Sequence, residues 1–232
     1  MYRKFLNARS PLRLLEKGLH GGLGIGNLGV VLAGHGMGKT PFLVGVALDE
    51  LLRGGTVLHV ALDQTVSHVR AFYDNVYETL ANSTHLEDAA VTHTEIDRRR
   101  SIRAYPPASF SVSKLREAVK VESEAGAKPT LIVIEGADID TVGNDELGDL
   151  RALAQELAAE VWISVPSDDE QVDGVPSTVG RFGDLVSVVL ALEPGDDGEE
   201  TVGLRALKDH DNPDLSELHV ALDPQTLLLV RH

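Results

Sequence analysis

The chain predicts an α/β fold in which a mostly parallel central sheet is flanked by helices and carries antiparallel strands at its C-terminal edge. Two patterns lead to this. Short apolar runs at 28–32, 56–62, 130–134, 161–165 and 185–192 alternate with longer segments whose apolar residues recur at helical spacing. The last 30 or so residues then break into short strand-like runs separated by turn residues, including Gly195 and Asp223-Pro224. A third observation sets the scale: 232 residues with 43% hydrophobic content bury one sizeable core, so no second globular domain is required. The chain contains no internal repeats.

Residues 1–17 form an N-terminal arm ahead of a single domain over 18–232. The arm carries Arg3, Lys4, Arg9, Arg13 and Lys17 and is the only basic end of an acidic protein. Its apolar residues Phe5, Leu6, Leu12, Leu14 and Leu15 suit docking on a neighbouring subunit or on the arm's own domain, and both alternatives stay open. Residues 18–29, GLHGGLGIGNLG, hold six glycines and make a tight approach to the first strand. Residues 40–53 predict a helix that is apolar around most of its girth. Pro41 sits in its first turn, where a missing N–H costs nothing, and Gly54-Gly55 ends it.

The second core strand, TVLHVAL over 56–62, ends on Asp63-Gln64. Helical spacing then runs through Val69, Phe72, Tyr73, Val76, Tyr77 and Leu80. From 81 to 107 the pattern fades into polar residues, with Arg98, Arg99, Arg100 and Arg103 as the one basic cluster. A solvated loop is the expectation there, with anion binding or a subunit contact as the alternative. Residues 112–126 predict a helix, 130–134 (TLIVI) an apolar strand ending at Glu135-Gly136, and 144–160 another helix. Strands follow at 161–165 and 185–192, and the tail predicts short strands at 201–208, 218–222 and 227–230.

The stretch richest in chemistry is LGVVLAGHGMGKTPFL, residues 28–43. An apolar strand meets the glycine-rich turn Gly34-His35-Gly36-Met37-Gly38, which passes through Lys39, Thr40 and Pro41 into a helix. Glycines let successive backbone N–H groups turn inward, and the helix aims its positive dipole end at the same point, so an anion belongs there. Lys39 supplies a point charge for β and γ phosphates, and the Thr40 hydroxyl is placed to join the shell of a Mg²⁺. A tight strand-to-helix turn with a solvated lysine is the bland alternative. It leaves the adjacent Lys and Thr at the helix start unexplained. The pattern is a Walker A motif with Ala33 where the first glycine is usual.

The strand ending Leu131-Ile132-Val133-Ile134-Glu135 fits a Walker B element, whose acid holds the Mg²⁺. Aspartate is usual there. Glutamate is one methylene longer and still reaches a hydrated metal. The alternative is a buried strand that happens to end in an acid.

Composition excludes several function classes. No run of 18 apolar residues and no charged-then-apolar leader is present, so neither a membrane span nor secretion through a signal peptide is expected. The absence of cysteine removes disulfides and thiolate metal sites and suits a cytoplasmic protein. A net charge of −15 repels nucleic acid and anionic lipid unless a local basic patch outweighs it.

With these residues in view, the chain resembles RecA-fold P-loop ATPases of the KaiC and replicative DnaB-helicase group, over residues 10–230. GLHGGLGIGNLGVVLAGHGMGKTPFL is similar to the group's opening segment, in which GGL precedes the first strand, and GMGKT is close to the helicase form of the loop. The resemblance implies ATP and Mg²⁺ as ligands and a homo-oligomeric assembly. ALDQ stands where the group carries a catalytic glutamate, which makes Asp63 the water-orienting base. Lys208-Asp209-His210 falls where members present a K-x-R pair to the nucleotide of the next subunit.

The departures fall on hydrolysis rather than on binding: Asp63 is a shortened base, Glu135 a lengthened metal acid, and His210 replaces the expected arginine finger. Such a finger supplies a factor of about 10³ to 10⁵ in rate, and neutral imidazole does not replace a fixed, forked cation. Slow turnover, or nucleotide binding without turnover, is the expectation. The loops that line the nucleic-acid channel in related recombinases and helicases hold Asp168, Asp169, Glu170 and Asp173 in one and Glu193, Asp196, Asp197, Glu199 and Glu200 in the other, with Arg181 late in the first. Acids facing a phosphate backbone oppose binding. A regulatory or assembly role on protein partners therefore ranks above a DNA motor.

Overall fold

The computed structural model describes residues 1–167, 172–195 and 201–232. Helices α1 (Arg3–Arg9) and α2 (Leu12–Gly18) lead into β1 (Leu28–Ala33) and α3 (Lys39–Arg53). Next come β2 (Val57–Ala61), α4 (Val66–Thr84), α5 (Ala89–Arg99), β3 (Arg100–Ala104) and α6 (Val112–Glu124). Then follow β4 (Leu131–Glu135), α7 (Asn144–Leu157), β5 (Glu160–Pro166), α8 (Ser177–Gly180) and β6 (Val188–Pro194). Strands β7 (Val202–Asp209), β8 (Val220–Leu222) and β9 (Leu229–Arg231) close the chain.

All described strands join one sheet in the order β3-β2-β4-β5-β1-β6-β7-β8-β9. The strands from β3 to β6 in that order are parallel, and β7 to β9 are added antiparallel. The expected α/β class and its antiparallel edge are thus present. Every residue of β1, β2 and β4 is buried, which is why these strands read as continuous apolar runs: helices cover both faces of a parallel sheet. One face packs against α3, α4 and α5, with Leu6, Leu12 and Leu15 of the first two helices in the same core. The other packs against α6 and α7 through Leu115, Val119, Leu147, Leu150 and Leu153.

Three expectations need correction. Residues 81–107 are not a solvated loop: α4 continues to Thr84, and α5 and β3 follow. β3 is an edge strand paired parallel to β2; its Arg100 and Arg103 and the last residue of α5, Arg99, are engaged, while Arg98 is exposed. Arg99 Nη1 donates to the Gly54 carbonyl (2.5 Å) and Arg103 pairs with Glu122 (2.7 Å). Arg100 is buried, paired with Asp97 (2.5 Å) and stacked 4.5 Å over the Tyr73 ring. The helix expected over 144–160 stops at Leu157, because Ala158 turns left-handed (φ 54°) and Glu160 already opens β5. The strand expected from 185 begins at Val188, after a short turn at 183–185.

The N-terminal arm packs on its own chain. Arg3 Nε and Asn7 Nδ2 both donate to the Leu52 carbonyl at the end of α3 (2.5 and 2.9 Å), and Arg13 pairs with Asp49 and Glu16. Among the described residues, no helix is long and apolar enough to cross a membrane.

Candidate functional site

The turn between β1 and α3 sits at the C-terminal end of the parallel strands, beside the ends of β2 and β4. Ala61 is the register partner of Glu135, so Asp63 and Gln64, which follow β2, emerge next to the last residue of β4. Two glycines make this arrangement possible. Gly38 has φ 91°, and a Cβ there would stand 2.2 Å from Leu222 Cδ2, so the antiparallel edge presses directly on the turn. Gly136 has φ 80°, and a Cβ on it would meet Asp63 Cγ at 2.6 Å. The Asp63 side chain therefore lies across the Gly136 backbone.

The side chains converge. Lys39 curls back over the turn and donates to the carbonyls of Ala33 (2.8 Å) and Gly34 (2.9 Å). The Thr40 hydroxyl donates to Glu135 Oε1. Gln64 Nε2 lies 3.4 Å from both Thr40 Oγ1 and Glu135 Oε1, and Gln64 Oε1 is buried without a partner among the described residues. Glu135 is 3% exposed; its second oxygen is 3.3 Å from His59 Nε2. Burial pulls the Lys39 ammonium below its ordinary range, and the nearby carboxylates of Glu135 and Asp63 only partly oppose this.

These groups line a cleft of about 470 Å³ with His35, Gly36, Met37, Gly38 and Pro41, walled on its far side by Phe72, Val202, Leu222, Pro224 and Leu227. Helix α3 has no side-chain cap at its N-terminus, and its first internal bond is Phe42 N–H to the Gly38 carbonyl (3.0 Å). Its leading N–H groups and the Lys39 ammonium together suit an anion. Thr40 and Glu135 offer hard oxygen donors of the kind Mg²⁺ prefers, and the orphaned Gln64 oxygen is an acceptor for a metal-bound water.

Gly34, His35, Gly36, Met37, Gly38, Lys39, Thr40, Pro41, Asp63 and Glu135 thus come together. Lys208 and His210 do not join them. β7 runs antiparallel to β6, so Asp209 pairs with Val188 at the opposite end of the sheet. There Lys208 Nζ donates to the carbonyls of Gly183 (2.8 Å) and Val186 (2.6 Å). His210 bridges Asp209 Oδ1 (2.8 Å) and the Leu23 carbonyl (3.0 Å). Of the loop acids, Asp168, Asp169, Glu170, Asp196, Asp197, Glu199 and Glu200 lie outside the described residues. Asp173 is exposed, and Glu193 is held below the usual carboxylate range by its hydrogen bonds to Arg205. Arg181 donates to the carbonyls of Ile139, Asp140 and Val142.

Two contributors were missed from the sequence. Gln64 reads there only as the residue after a candidate base, and His59 as one polar position inside an apolar strand. Their roles depend on the β2–β4 register, which a single sequence does not display. No protein-family model matches the chain, and no curated protein matches it.

Proposed function

We propose that the protein binds Mg²⁺-ATP in this cleft and is a slow ATPase of the RecA-like P-loop type, with a regulatory or assembly role on protein partners. One observation carries the reading: Lys39, Thr40 and Glu135, drawn from a glycine turn and a separate strand, meet at the uncapped N-terminus of α3. A strand-to-helix turn of purely structural purpose needs no acid from another strand. The cleft also pairs a polar half with an apolar wall, as a nucleotide's phosphates and base require.

In this reading, Lys39 exchanges its two carbonyl partners for phosphate oxygens, which also restores favourable solvation to a half-buried ammonium. Thr40 and Glu135 hold the metal, which when bound neutralises charge on the phosphates. Asp63 accepts the proton of the attacking water, and the Gln64 amide helps to orient that water. Turnover stays slow because the base is short and because His210, which in an assembly would face the next subunit's nucleotide, lacks the forked charge of arginine. The engagement of Arg99, Arg100 and Arg103 within their own chain supports protein over nucleic-acid partners, since three of the four arginines of the basic cluster already serve contacts of the fold. A homo-oligomer in the cytoplasm is part of the same proposal.

A single-turnover assay with Mg²⁺-ATP tests it. Slow phosphate release is expected, abolished by Asp63→Asn and unaltered by added single-stranded DNA. Tight binding with no release would favour a nucleotide-holding switch instead, and DNA-stimulated release would overturn the protein-directed reading.

A further inference from the structure

Behind Glu135 lies a chain of polar groups that binding a nucleotide does not by itself require. His59 is fully buried in the middle of β2, two residues before Ala61, the register partner of Glu135. Side chains two apart on a strand share a face, so His59 and Glu135 are diagonal neighbours on the face covered by α3 and α4. His59 Nε2 lies 3.3 Å from Glu135 Oε2, and His59 Nδ1 lies 3.1 Å from the hydroxyl of Tyr73 on α4. Tyr73 is itself fully buried, with the guanidinium of Arg100 4.5 Å from its ring centroid.

The hydrogen placement follows from the partners. A carboxylate oxygen only accepts, so the Nε2 position must carry the hydrogen that faces Glu135. Burial holds the Tyr73 phenol far above its ordinary range, so it keeps its O–H and can donate to Nδ1. The imidazole is then fixed in one tautomer and one orientation, as a histidine oriented by a buried partner normally is.

This arrangement answers a difficulty in the proposed site. Glutamate has one more rotatable bond than the aspartate usual at such a position, and an extra rotor loosens a metal acid. Here Oε2 is committed to His59, which leaves Oε1 alone facing Thr40 and Gln64. We propose that His59, held by Tyr73, is a positioning residue that locks the Glu135 carboxylate so that one oxygen is presented to the divalent cation. The inference rests on the Mg²⁺-ATP reading above.

Isothermal titration of the full chain separates the two. Affinity is measured for ATP with Mg²⁺ and for ATP with EDTA, and the ratio isolates the metal's contribution. In His59→Asn the amide matches Nδ1 and keeps the Tyr73 partner while losing the donor to Glu135. In His59→Gln the amide matches Nε2 and keeps that donor. His59→Asn should lose about tenfold in Mg²⁺-ATP affinity, within the range typical of groups that orient metal ligands, with metal-free ATP affinity unchanged; His59→Gln should recover most of the loss. Tyr73→Phe keeps the ring under Arg100 and should shift the ratio in the same direction by a smaller factor, which covers the case in which His59→Asn does not fold. Parental ratios in His59→Asn or, failing that, in Tyr73→Phe would overturn the inference and leave the ATP site standing. If the parent binds ATP equally with and without Mg²⁺, the metal assignment and the inference fall together. If the parent does not bind ATP at all, the whole reading falls.

Discussion

The two ends of the parallel sheet both carry clusters of charged side chains, and they differ in how those charges are matched. At the N-terminal end of the strands, Asp49 is 5% exposed and is met by both Arg13 and Arg53, which also reach Glu16 and Glu50. Asp209, 2% exposed, is held between His20 (2.6 Å) and His210 (2.8 Å). At the C-terminal end, Lys39 is spent on backbone carbonyls, and among the described residues neither Asp63 nor Glu135 is paired with a lysine or arginine. A buried carboxylate that keeps its cations avoids the penalty of standing alone in the interior. Asp63 is exposed and, among the described residues, the Glu135 carboxylate meets only Thr40, Gln64 and His59, so a bound metal and polyanion would add the charge partners that this end lacks.

The largest effect is expected at the N-terminal end of the strands. Replacing Arg13 and Arg53 together by alanine strands Asp49 with no cation, and removing the partner of a buried charge costs about 3–5 kcal/mol. Thermal melts should show a fall on the order of 10 °C for a chain of this size, while calorimetric Mg²⁺-ATP affinity of the folded protein stays at the parental value. A loss below about 1 kcal/mol would mean that the base-end pairs are ornamental, and the contrast between the two ends would dissolve.

Asp209 sharpens the same contrast by pH. Burial alone would raise its carboxyl, but hydrogen bonds from His210 and His20 outweigh that and hold it below the usual carboxylate range. A folded-state value below the unfolded one means that the stabilisation is fully present above the unfolded value of about 3.9 and is lost as pH falls through the folded value. Asp209→Asn should therefore cost about 1–3 kcal/mol near neutral pH, the scale of hydrogen bonds to a charged group. In urea melts the difference between the two proteins should shrink between pH 5 and pH 3. A difference independent of pH would place the effect in packing rather than in charge.

What the sequence displayed and what it hid divide along a similar line. The β1 turn, α3 and the apolar run of β4 were legible because local chemistry specifies them: glycines where the backbone turns left-handed, and apolar runs where both faces are covered. β3 was not, because RSIRA is polar and pairs on one side only, and its partner β2 lies about 40 residues earlier. α5 was obscured because it buries only Thr92 and Ile96 and starts from Asp88 in a left-handed conformation without a side-chain cap. In the site, the residues of the glycine turn and Glu135 could be read from their motifs. Gln64 and His59 could not, since only the pairing of Ala61 with Glu135 brings them to the carboxylate.

The central claim, that the cleft around Lys39 at the C-terminal end of the strands is a Mg²⁺-ATP site, is tested most directly by thermal melting of the parent and of Lys39→Ala with and without Mg²⁺-ATP. A ligand at 100 times its dissociation constant stabilises the folded state by about 2.7 kcal/mol, a rise of about 5–10 °C for a domain of this length. The account predicts that rise in the parent and the loss of most of it in Lys39→Ala. An equal rise in both proteins, or none in the parent, would contradict it.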